Sequence, residues 1–293
     1  MSPGRKLFLA ANIIFISILT LTCLLPIWNV LCMSFSDAAY VSAGRVKLLP
    51  VGLTTEAYTF AFQNARFWTA LSISAKRVLA GVPLNLVLII LAAYPLSKSE
   101  AVFKGRKVYV WYFIITMLFN GGLIPNYIIV SKLGLMDKLW ALILPNSVQV
   151  FNVVLLLNFF RSLPKEIEES AFVDGAGQFT IMWRLFVPLS KPALATITLF
   201  CLVSHWNTWF DGLIYMNNQK NYPLQSYLQT IIAVSTTHTM DFSNLEQLAE
   251  HMKVNERNLK AAQVFIAMIP VLAVYPFLQK YFTTGIVMGS VKG

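Results

Sequence analysis

The chain has 293 residues, of which 57% are hydrophobic and only 12% charged, and its formal net charge at pH 7 is +10. This composition excludes a water-soluble globular protein, because there are too many apolar residues and too few charged ones to form its surface. The basic excess does not indicate nucleic-acid binding either, since the lysines and arginines are scattered and form no patch. Contact with membrane lipid accounts better for both features.

Six apolar runs are long enough to cross a hydrocarbon core of about 30 Å, which takes roughly 20 helical residues. They cover residues 7–33, 67–96, 108–131, 139–160, 193–217 and 261–284. Within lipid, runs of this kind satisfy their backbone groups only as helices. We therefore predict an all-α integral membrane protein, with six transmembrane helices in a single domain over residues 1–293.

The first run follows Arg5 and Lys6, as a signal peptide would. Its apolar part is too long for a signal peptide and lacks a small-residue cleavage site, so we expect a retained helix. The positive-inside rule favours an N-terminus on the inner side. The bias is moderate, because Arg45, Lys47 and Arg66 then fall outside.

Lys76 and Arg77 lie within the second run, about 14 Å from its start at Phe67 if each residue rises ~1.5 Å. Charged side chains within a span are costly and usually face a water-filled cavity or a partner, which makes both residues candidates to line a path across the membrane. In the alternative interpretation the lipid-facing part begins near Val78, and the two residues lie at the membrane surface.

The third run is interrupted by Asn120-Gly121-Gly122 and then by Pro125. We predict a bent or locally unwound helix here. Such breaks are tolerated at membrane depth only where the freed backbone is buried in protein or faces a wet cavity. Asn120 is therefore another candidate for the path.

A polar segment, residues 161–192, separates the fourth and fifth runs. Pro164 favours a helix start, and the glutamates that follow it suit the positive end of a helix dipole. Asp174 and Gly175 predict a sharp turn, because glycine tolerates the backbone angles of a reversal. The segment thus begins as a short helix that ends in an exposed turn.

A second short helix is predicted after the turn. Phe179, Met182, Trp183 and Phe186 recur at i, i+3, i+4 and i+7, which gives that helix one apolar face, and Pro188 is expected to end it. The product is a helix–turn–helix beside the membrane. An interfacial amphipathic helix without a partner is the alternative.

This segment resembles the EAA loop of importer-type ABC permeases. The matching residues are Glu169, Ala171, Asp174, Gly175, Ala176, Pro188 and Pro192. Ser170 replaces a usual alanine and Met182 a usual phenylalanine, and both changes are mild in size. The resemblance implies that residues 161–192 form a cytoplasmic coupling loop that contacts an ATPase, which places the N-terminus inside.

Four further segments carry a second resemblance, namely residues 120–164, 205–210, 222–225 and 275–293. Through them most of residues 67–293 resembles carbohydrate permeases of the maltose-transporter class, in particular the branch that imports oligosaccharides and polysaccharide fragments and includes alginate-type permeases. The resemblance implies a multi-pass subunit of the bacterial cytoplasmic (inner) membrane. Its implied partners are a homologous second permease subunit, two ATPase subunits, an extracytoplasmic solute-binding protein and an oligosaccharide substrate. This chain itself would bind no cofactor, and ATP and Mg would be bound by the ATPase.

The fifth run holds the richest polar and aromatic cluster of any span. Its candidate path residues are His205, Trp206, Asn207, Trp209 and Asp211. At helical spacing, His205 is expected beside Trp209 and Asn207 beside Asp211. Aromatic rings next to hydrogen-bonding groups suit a sugar, which presents both C–H faces and hydroxyls. The alternative is an interfacial aromatic belt with ordinary interhelical hydrogen bonds.

The remaining polar stretch, residues 218–258, predicts an external loop that is partly helical around 244–260. The three cysteines lie in or beside apolar runs and suit packing, and the histidines lack partners at ligand spacing, so no metal site is predicted. No Gly-Lys dipeptide occurs, so a Walker A loop is absent and no catalytic residue is assigned.

The sequence therefore predicts the permease subunit of an ABC importer for an oligosaccharide, and not an enzyme. Two adjacent cations near mid-membrane favour an acidic cargo such as an alginate fragment. A stand-alone channel or an ion-coupled secondary transporter is the alternative, but neither needs a cytoplasmic docking loop. An intramembrane enzyme would need a convergent catalytic pair within a span, which the sequence lacks.

Overall fold

The computed structural model describes residues 3–234 and 256–290, with side chains described over 4–231 and 257–276. The regular elements of these residues are helices. In chain order they are α1 (Pro3–Ser34), α2 (Ala38–Ser42), α3 (Glu56–Gln63), α4 (Ala65–Ser97), α5 (Arg106–Leu118), α6 (Leu123–Lys132), α7 (Leu139–Asn146), α8 (Val150–Ser162), α9 (Lys165–Val173), α10 (Gln178–Leu189), α11 (Lys191–Asn207), α12 (Phe210–Tyr215), α13 (Leu224–Val234) and α14 (Glu256–Ser290). The predicted all-α class is confirmed for the described residues.

Long apolar helices account for three of the predicted spans. By length and composition, α1, α4 and residues Arg257–Pro276 of α14 can cross a membrane. Three bent helix pairs qualify together, namely α5 with α6, α7 with α8, and α10 with α11, at angles of 113°, 51° and 82°. The predicted number of six is reached if each bent pair crosses once.

The break in the third run is confirmed. Between α5 and α6 the chain turns at Gly122, whose φ is +88°, a value that glycine adopts without strain. The side-chain oxygen of Asn120 accepts the Gly122 N–H at 2.9 Å and so closes the turn locally. Asn120 itself is exposed.

The fifth helix ends earlier than predicted. α11 stops at Asn207, Thr208 is extended (φ −70°, ψ 124°), and α12 starts anew at Phe210. The expected helical neighbours, His205 with Trp209 and Asn207 with Asp211, are therefore wrong, because the helical spacing does not continue past Asn207.

The chain forms two compact units. One comprises Met1–Trp68 with Tyr227–Ile269, and the other comprises Thr69–Ser226 with Pro270–Gly293. The single domain over 1–293 remains a prediction.

In the first unit, side chains of α1 pack on the segment that follows it. The Trp28 indole donates to the Leu48 carbonyl at 2.7 Å, and the Asn29 amide donates to the Lys47 carbonyl at 2.6 Å. Further along, the hydroxyls of Ser34 and Tyr58 lie 2.7 Å apart. Polar side chains thus join α1 to the connection that leads to α3.

In the second unit, α4, α8, α10 and α11 share one apolar core. Ile89, Leu156, Ile181 and Ile197, one from each of these helices, are fully buried in it. The described part of the molecule therefore builds its largest core from the two spans that flank residues 161–192, the second half of α4, and the loop helix α10.

The connections of the second unit meet at two places. The Leu96 carbonyl accepts Arg106 Nε at 2.8 Å and an Arg161 guanidinium nitrogen at 3.2 Å, which joins the two predicted inner connections. Asp137 accepts the backbone N–H groups of Asn217 and Asn218 at 2.7 and 3.0 Å, which joins two predicted outer ones. The Asn218 and Asn217 N–H groups hold the pKa of Asp137 below its ordinary value. These pairings agree with the predicted alternation of sides.

The predicted external loop is only partly described. Residues 218–234 contain a short 3-10 turn, Gln219–Asn221, and α13. The rest of the loop up to residue 255, including most of the helix predicted around 244–260, lies outside the described residues. From Glu256 to Ser290 the chain is helical, which agrees with the predicted sixth run.

Candidate functional site

The turn of segment 161–192 is a Schellman motif. Gly175 adopts φ +80°, its N–H bonds to the Phe172 carbonyl at 3.0 Å, and the Ala176 N–H bonds to the Ala171 carbonyl at 2.9 Å. These two bonds satisfy carbonyls that the end of α9 would otherwise leave free. The predicted turn at Asp174 and Gly175 is confirmed, and its reversal depends on a left-handed glycine.

The tip of this segment is exposed and mixed in character. Glu169, Asp174 and Gly175 are exposed, whereas Ala171 is buried beneath them and Ala176 is half-buried. Apolar side chains surround the turn, with Val173 89% exposed and Phe179 71% exposed. Large exposed apolar residues beside carboxylates are typical of a surface that meets another protein.

The helix after the turn differs from its prediction. Met182 and Phe186 are buried in the chain's own core, but Phe179 and Trp183 are exposed, so the four residues do not share one buried face. The helix has a π-helical turn over Met182–Phe186, which has more residues per turn than an α-helix. Side chains in this turn therefore depart from the α-helical spacing on which the prediction of one apolar face was based.

This helix ends at Leu189, one residue after Pro188, so its predicted end is met to within one residue. A proline lacks an N–H and clashes with the carbonyl four residues earlier in an α-helix. The π turn relieves this conflict, because the Val187 N–H bonds to Met182, five residues back. Pro192 lies in the first turn of α11, where a missing N–H costs little.

Both helices of segment 161–192 are attached to the end of α4. Lys98 Nζ lies 2.7 Å from a Glu168 carboxylate oxygen and stacks over the rings of Tyr94 and Phe186, 4.1 and 4.0 Å from their centroids. The Tyr94 hydroxyl donates to the Gln178 side-chain carbonyl at 2.7 Å. Burial lowers the pKa of Lys98, and the hydrogen bond and charge of Glu168 oppose that shift.

Sequence reasoning missed this attachment. Lys98 lies in the short basic connection after the second apolar run, and Glu168 is one of the glutamates that follow Pro164, so the sequence singles out neither residue. The burial of Lys98 arises from three helices that meet in space, which no sequence pattern shows. Its position directly after the long apolar run of α4 was the single available signal.

A second site is a buried charge cluster between α4 and the break after α11. Arg77 is 1% exposed, and its guanidinium pairs with both carboxylate oxygens of Asp211. It also donates to the Thr208 carbonyl at 3.2 Å and to His205 Nδ1 at 3.4 Å. The Thr208 carbonyl is available because α11 ends there, so the same break that ends the helix supplies a ligand for the arginine.

The other side of the histidine contacts α4 again. His205 Nε2 lies 3.2 Å from the amide nitrogen of Asn85, and a Cβ on Gly81 would come within 2.6 Å of that same Nε2. Arg77, Gly81 and Asn85 are spaced by four and therefore share one face of α4. This spacing was a usable sequence signal for the cluster, and Asn85 is a member that sequence reasoning missed.

The predicted path residues separate into two groups. The structure brings Arg77, His205 and Asp211 together and buries Trp206 nearby in α11, whereas Lys76, Asn120, Asn207 and Trp209 are exposed on this chain. Lys76 and Arg77, adjacent in sequence, point about 100° apart on α4. Only Lys76 of the two has an exposed side chain.

Gly81→Ala tests how tightly the cluster is packed. The added methyl group should displace the His205 imidazole and break its contact with Asn85, and overpacking of this kind typically costs about 1–3 kcal/mol. We expect a lower unfolding temperature of the purified protein in detergent. Leu79→Ala is the control, because Leu79 lies on the same helix and is 75% exposed. Equal unfolding temperatures for Gly81→Ala and the unmodified protein would contradict the described packing.

Within the described residues, no group of three or more His, Cys, Asp or Glu side chains is arranged to hold a metal ion. The two sites are built from ion pairs, aromatic rings and hydrogen bonds. Such groups suit mechanical attachment and, at the exposed tip, the recognition of a partner surface.

A protein-family comparison covers both sites. The family described as "Binding-protein-dependent transport system inner membrane component" matches residues 78–288. The matched range includes the whole segment 161–192 and the cluster members Gly81, Asn85, His205 and Asp211.

Full-length relatives are found in Bacillus subtilis (strain 168). Protein LplC is 36% identical over 292 residues, which covers 100% of this chain and 97% of that protein. The polygalacturonan/rhamnogalacturonan transport system permease protein YtcP is 37% identical over 279 residues, which covers 95% of this chain and 96% of that protein.

A solved structure is similar over nearly its whole length. It is a chain in the crystal structure of a bacterial ABC transporter involved in the import of the acidic polysaccharide alginate. The two chains superpose with a TM-score of 0.86 at 34% identity, over 96% of this chain and 99% of that one.

Proposed function

We propose that this chain, which belongs to the family of binding-protein-dependent transport system inner membrane components, takes an acidic oligosaccharide as its cargo. The chain is a permease subunit of an ABC importer for sugars. YtcP is named as a transport system permease protein, and the structural neighbour is a chain of an ABC transporter that imports alginate. The observation that best supports an acidic cargo is the similarity to a chain of the alginate importer, with a TM-score of 0.86. The relative named for polygalacturonan supports it, since both polymers consist of uronate sugars that carry carboxylates.

Segment 161–192 is the proposed coupling loop. Its exposed tip presents Glu169 and Asp174 beside the apolar side chains of Val173 and Phe179, a mixture that suits a protein partner. That partner is a separate ATPase, which binds ATP and Mg, because the chain itself has no Walker A loop. The coupling loop is therefore on the cytoplasmic side, and the N-terminus is on the same side.

The proposed assembly contains this chain, a homologous second permease subunit, two ATPase subunits and an extracytoplasmic solute-binding protein. ATP-driven closure of the ATPase pair moves the coupling loop, and rigid helix groups rock between inward- and outward-facing states. A stand-alone channel or an ion-coupled transporter has no need for the exposed tip. Copurification of this chain with an ATPase tests the assembly, and a chain that purifies alone yet transports sugar would contradict it.

Lys76 is the proposed contact for the charge of the cargo. The expectation that Lys76 and Arg77 act together is not supported by their surroundings, because Asp211 already neutralises Arg77. Lys76, by contrast, is exposed on α4, so its ammonium group is accessible to a charged cargo. A double replacement would therefore mix two effects, and Lys76 alone provides the clean test.

We expect Lys76→Gln to weaken uptake of a uronate oligosaccharide by the reconstituted complex, with a smaller effect at high salt if long-range steering is the cause. Uptake of the uronate oligosaccharide and uptake of a neutral maltodextrin are measured separately in proteoliposomes and compared. Lys132→Gln is the control, since Lys132 is an exposed lysine in the last turn of α6. A complex that takes up only the neutral sugar would contradict the acidic cargo, while the permease function would stand.

A further inference from the structure

The end of α4 holds an unusual cation. Lys98 follows directly on this helix, its side chain is only 7% exposed, and it is surrounded by the Glu168 carboxylate and the rings of Tyr94 and Phe186. A lysine is rarely buried to this extent without a specific partner. The carboxylate comes from α9 and Phe186 from α10, so this one ammonium group contacts both helices of the coupling loop.

A second lysine–glutamate pair in the same part of the chain shows the contrast. Lys107 lies 2.9 Å from Glu100, but the two side chains are 74% and 48% exposed. Such surface pairs are worth little, because water and salt screen them. The burial of the Lys98–Glu168 pair therefore distinguishes it from a pair of the same chemistry nine residues further along.

Three further contacts join the coupling loop to the last turns of α4. The Tyr94 hydroxyl bonds to Gln178 in the first turn of α10, and its ring meets Phe186 edge-on at 5.2 Å. Arg161, at the end of α8, donates to the Leu96 carbonyl. The loop is thus attached at its start, in its middle and beyond its turn.

The same helix carries the buried charge cluster. Arg77 and Lys98 are 21 positions apart, which corresponds to about 31 Å at ~1.5 Å per residue. Between them α4 packs in the core through residues such as Ile89 and Ala93. One continuous helix therefore connects the coupling loop to the break between α11 and α12.

We propose that Lys98 is a positioning residue that locks the coupling loop onto α4, so that the loop and this helix move as one body during transport. A displacement of the loop by the ATPase then reaches the Arg77–Asp211 cluster through α4. This inference rests on the proposed function, and it adds a specific mechanical route to it.

Substitution tests the lock. In Lys98→Met/Glu168→Leu no charge is left unpaired, so the protein should insert and assemble with its partners. We expect its sugar uptake per ATP hydrolysed to fall by roughly 5- to 150-fold, the range that coupling free energies usually span. Lys107→Met/Glu100→Leu is the matched control and should keep the normal ratio. A normal ratio in the Lys98 variant would overturn the proposal.

Cross-linking tests whether the loop and α4 stay together. With Cys23, Cys32 and Cys201 changed to serine, Lys98→Cys and Glu168→Cys are joined by a short bis-maleimide. The uncross-linked cysteine pair should resemble the uncoupled variant, and the cross-link should restore uptake per ATP. A cross-link that blocks uptake would show that the loop must leave α4 during the cycle, and the proposal would be wrong.

The unmodified complex separates this proposal from the function beneath it. If that complex, reconstituted with its ATPase and binding protein, neither hydrolyses ATP nor takes up sugar, the proposed function fails. If it does both, and the Lys98 and cross-linked variants behave as the unmodified protein does, only the lock fails.

Discussion

Gly175→Val is expected to abolish most ATP-driven sugar uptake while the protein still inserts into the membrane. Gly175 has φ +80°, and a β-branched residue in this region typically costs about 1–3 kcal/mol. Among the described residues, no atom outside Gly175 and its two chain neighbours lies within 4 Å of a Cβ built at this position, so the effect comes from the backbone alone. The Schellman bonds should open and the Glu169 face should be misplaced, with uptake falling roughly 5- to 150-fold.

The control for this change lies two residues further on. Gly177 has φ −74° and ψ 161°, which any residue adopts, and its Cβ position is equally open. Gly177→Val should therefore keep normal uptake. Membrane-inserted protein is quantified for both variants, and uptake is measured in proteoliposomes. Normal uptake by well-inserted Gly175→Val would remove the turn from the mechanism.

Asp211→Leu is expected to lower the stability of the protein strongly. It leaves the Arg77 guanidinium buried without its counter-charge, and removal of one partner of a buried ion pair typically costs about 3–5 kcal/mol. We expect a large loss of folded protein and a lower unfolding temperature in detergent. Adding Arg77→Met should restore most of the loss, because no charge then stays unpaired. The Thr208 carbonyl still lacks its donor, which costs about 1 kcal/mol.

Lys76→Met is the control variant. It distinguishes the stability lost by breaking a buried ion pair from the effect of changing a charge on α4 in general. Lys76 is exposed, so its replacement should leave the unfolding temperature unchanged. If Asp211→Leu is as stable as the unmodified protein, Arg77 is free to serve another ligand, and its structural assignment here is wrong. If the double variant is no better than Asp211→Leu, the ion pair is not the source of the loss.

The sequence by itself determined the features that depend on neighbouring residues. Apolar runs predict the spanning helices, because a helix in lipid satisfies its own backbone groups. Asn120 and Gly122 predict the break in the third run, and Gly175 predicts the turn of segment 161–192, because glycine alone adopts those angles freely. The order of polar and apolar residues over 161–192 was enough to indicate a helix–turn–helix.

Only the tertiary structure decided what the charged residues do. Arg77 and Asp211 are 134 positions apart, and neither residue's surroundings in sequence show that they meet. The early end of α11 has the same origin, since the Thr208 carbonyl is taken by Arg77 and the Trp209 carbonyl by the Ser226 hydroxyl. The sequence over 193–217 favours one continuous helix. The helix ends early because Arg77 and Ser226, which are distant in sequence, donate to carbonyls that a continuing helix would bond to its own N–H groups.

Lys76 in α4 and Lys98 directly after it show the same division most clearly. In the sequence, Lys76 is the residue of interest because it lies within a span, and Lys98 is one of several basic residues beyond it. In the structure, Lys76 is exposed while Lys98 is buried between Glu168, Tyr94 and Phe186. The cost of desolvating a charge depends on which groups surround it in space. Those groups come from helices that the chain brings together only when it folds.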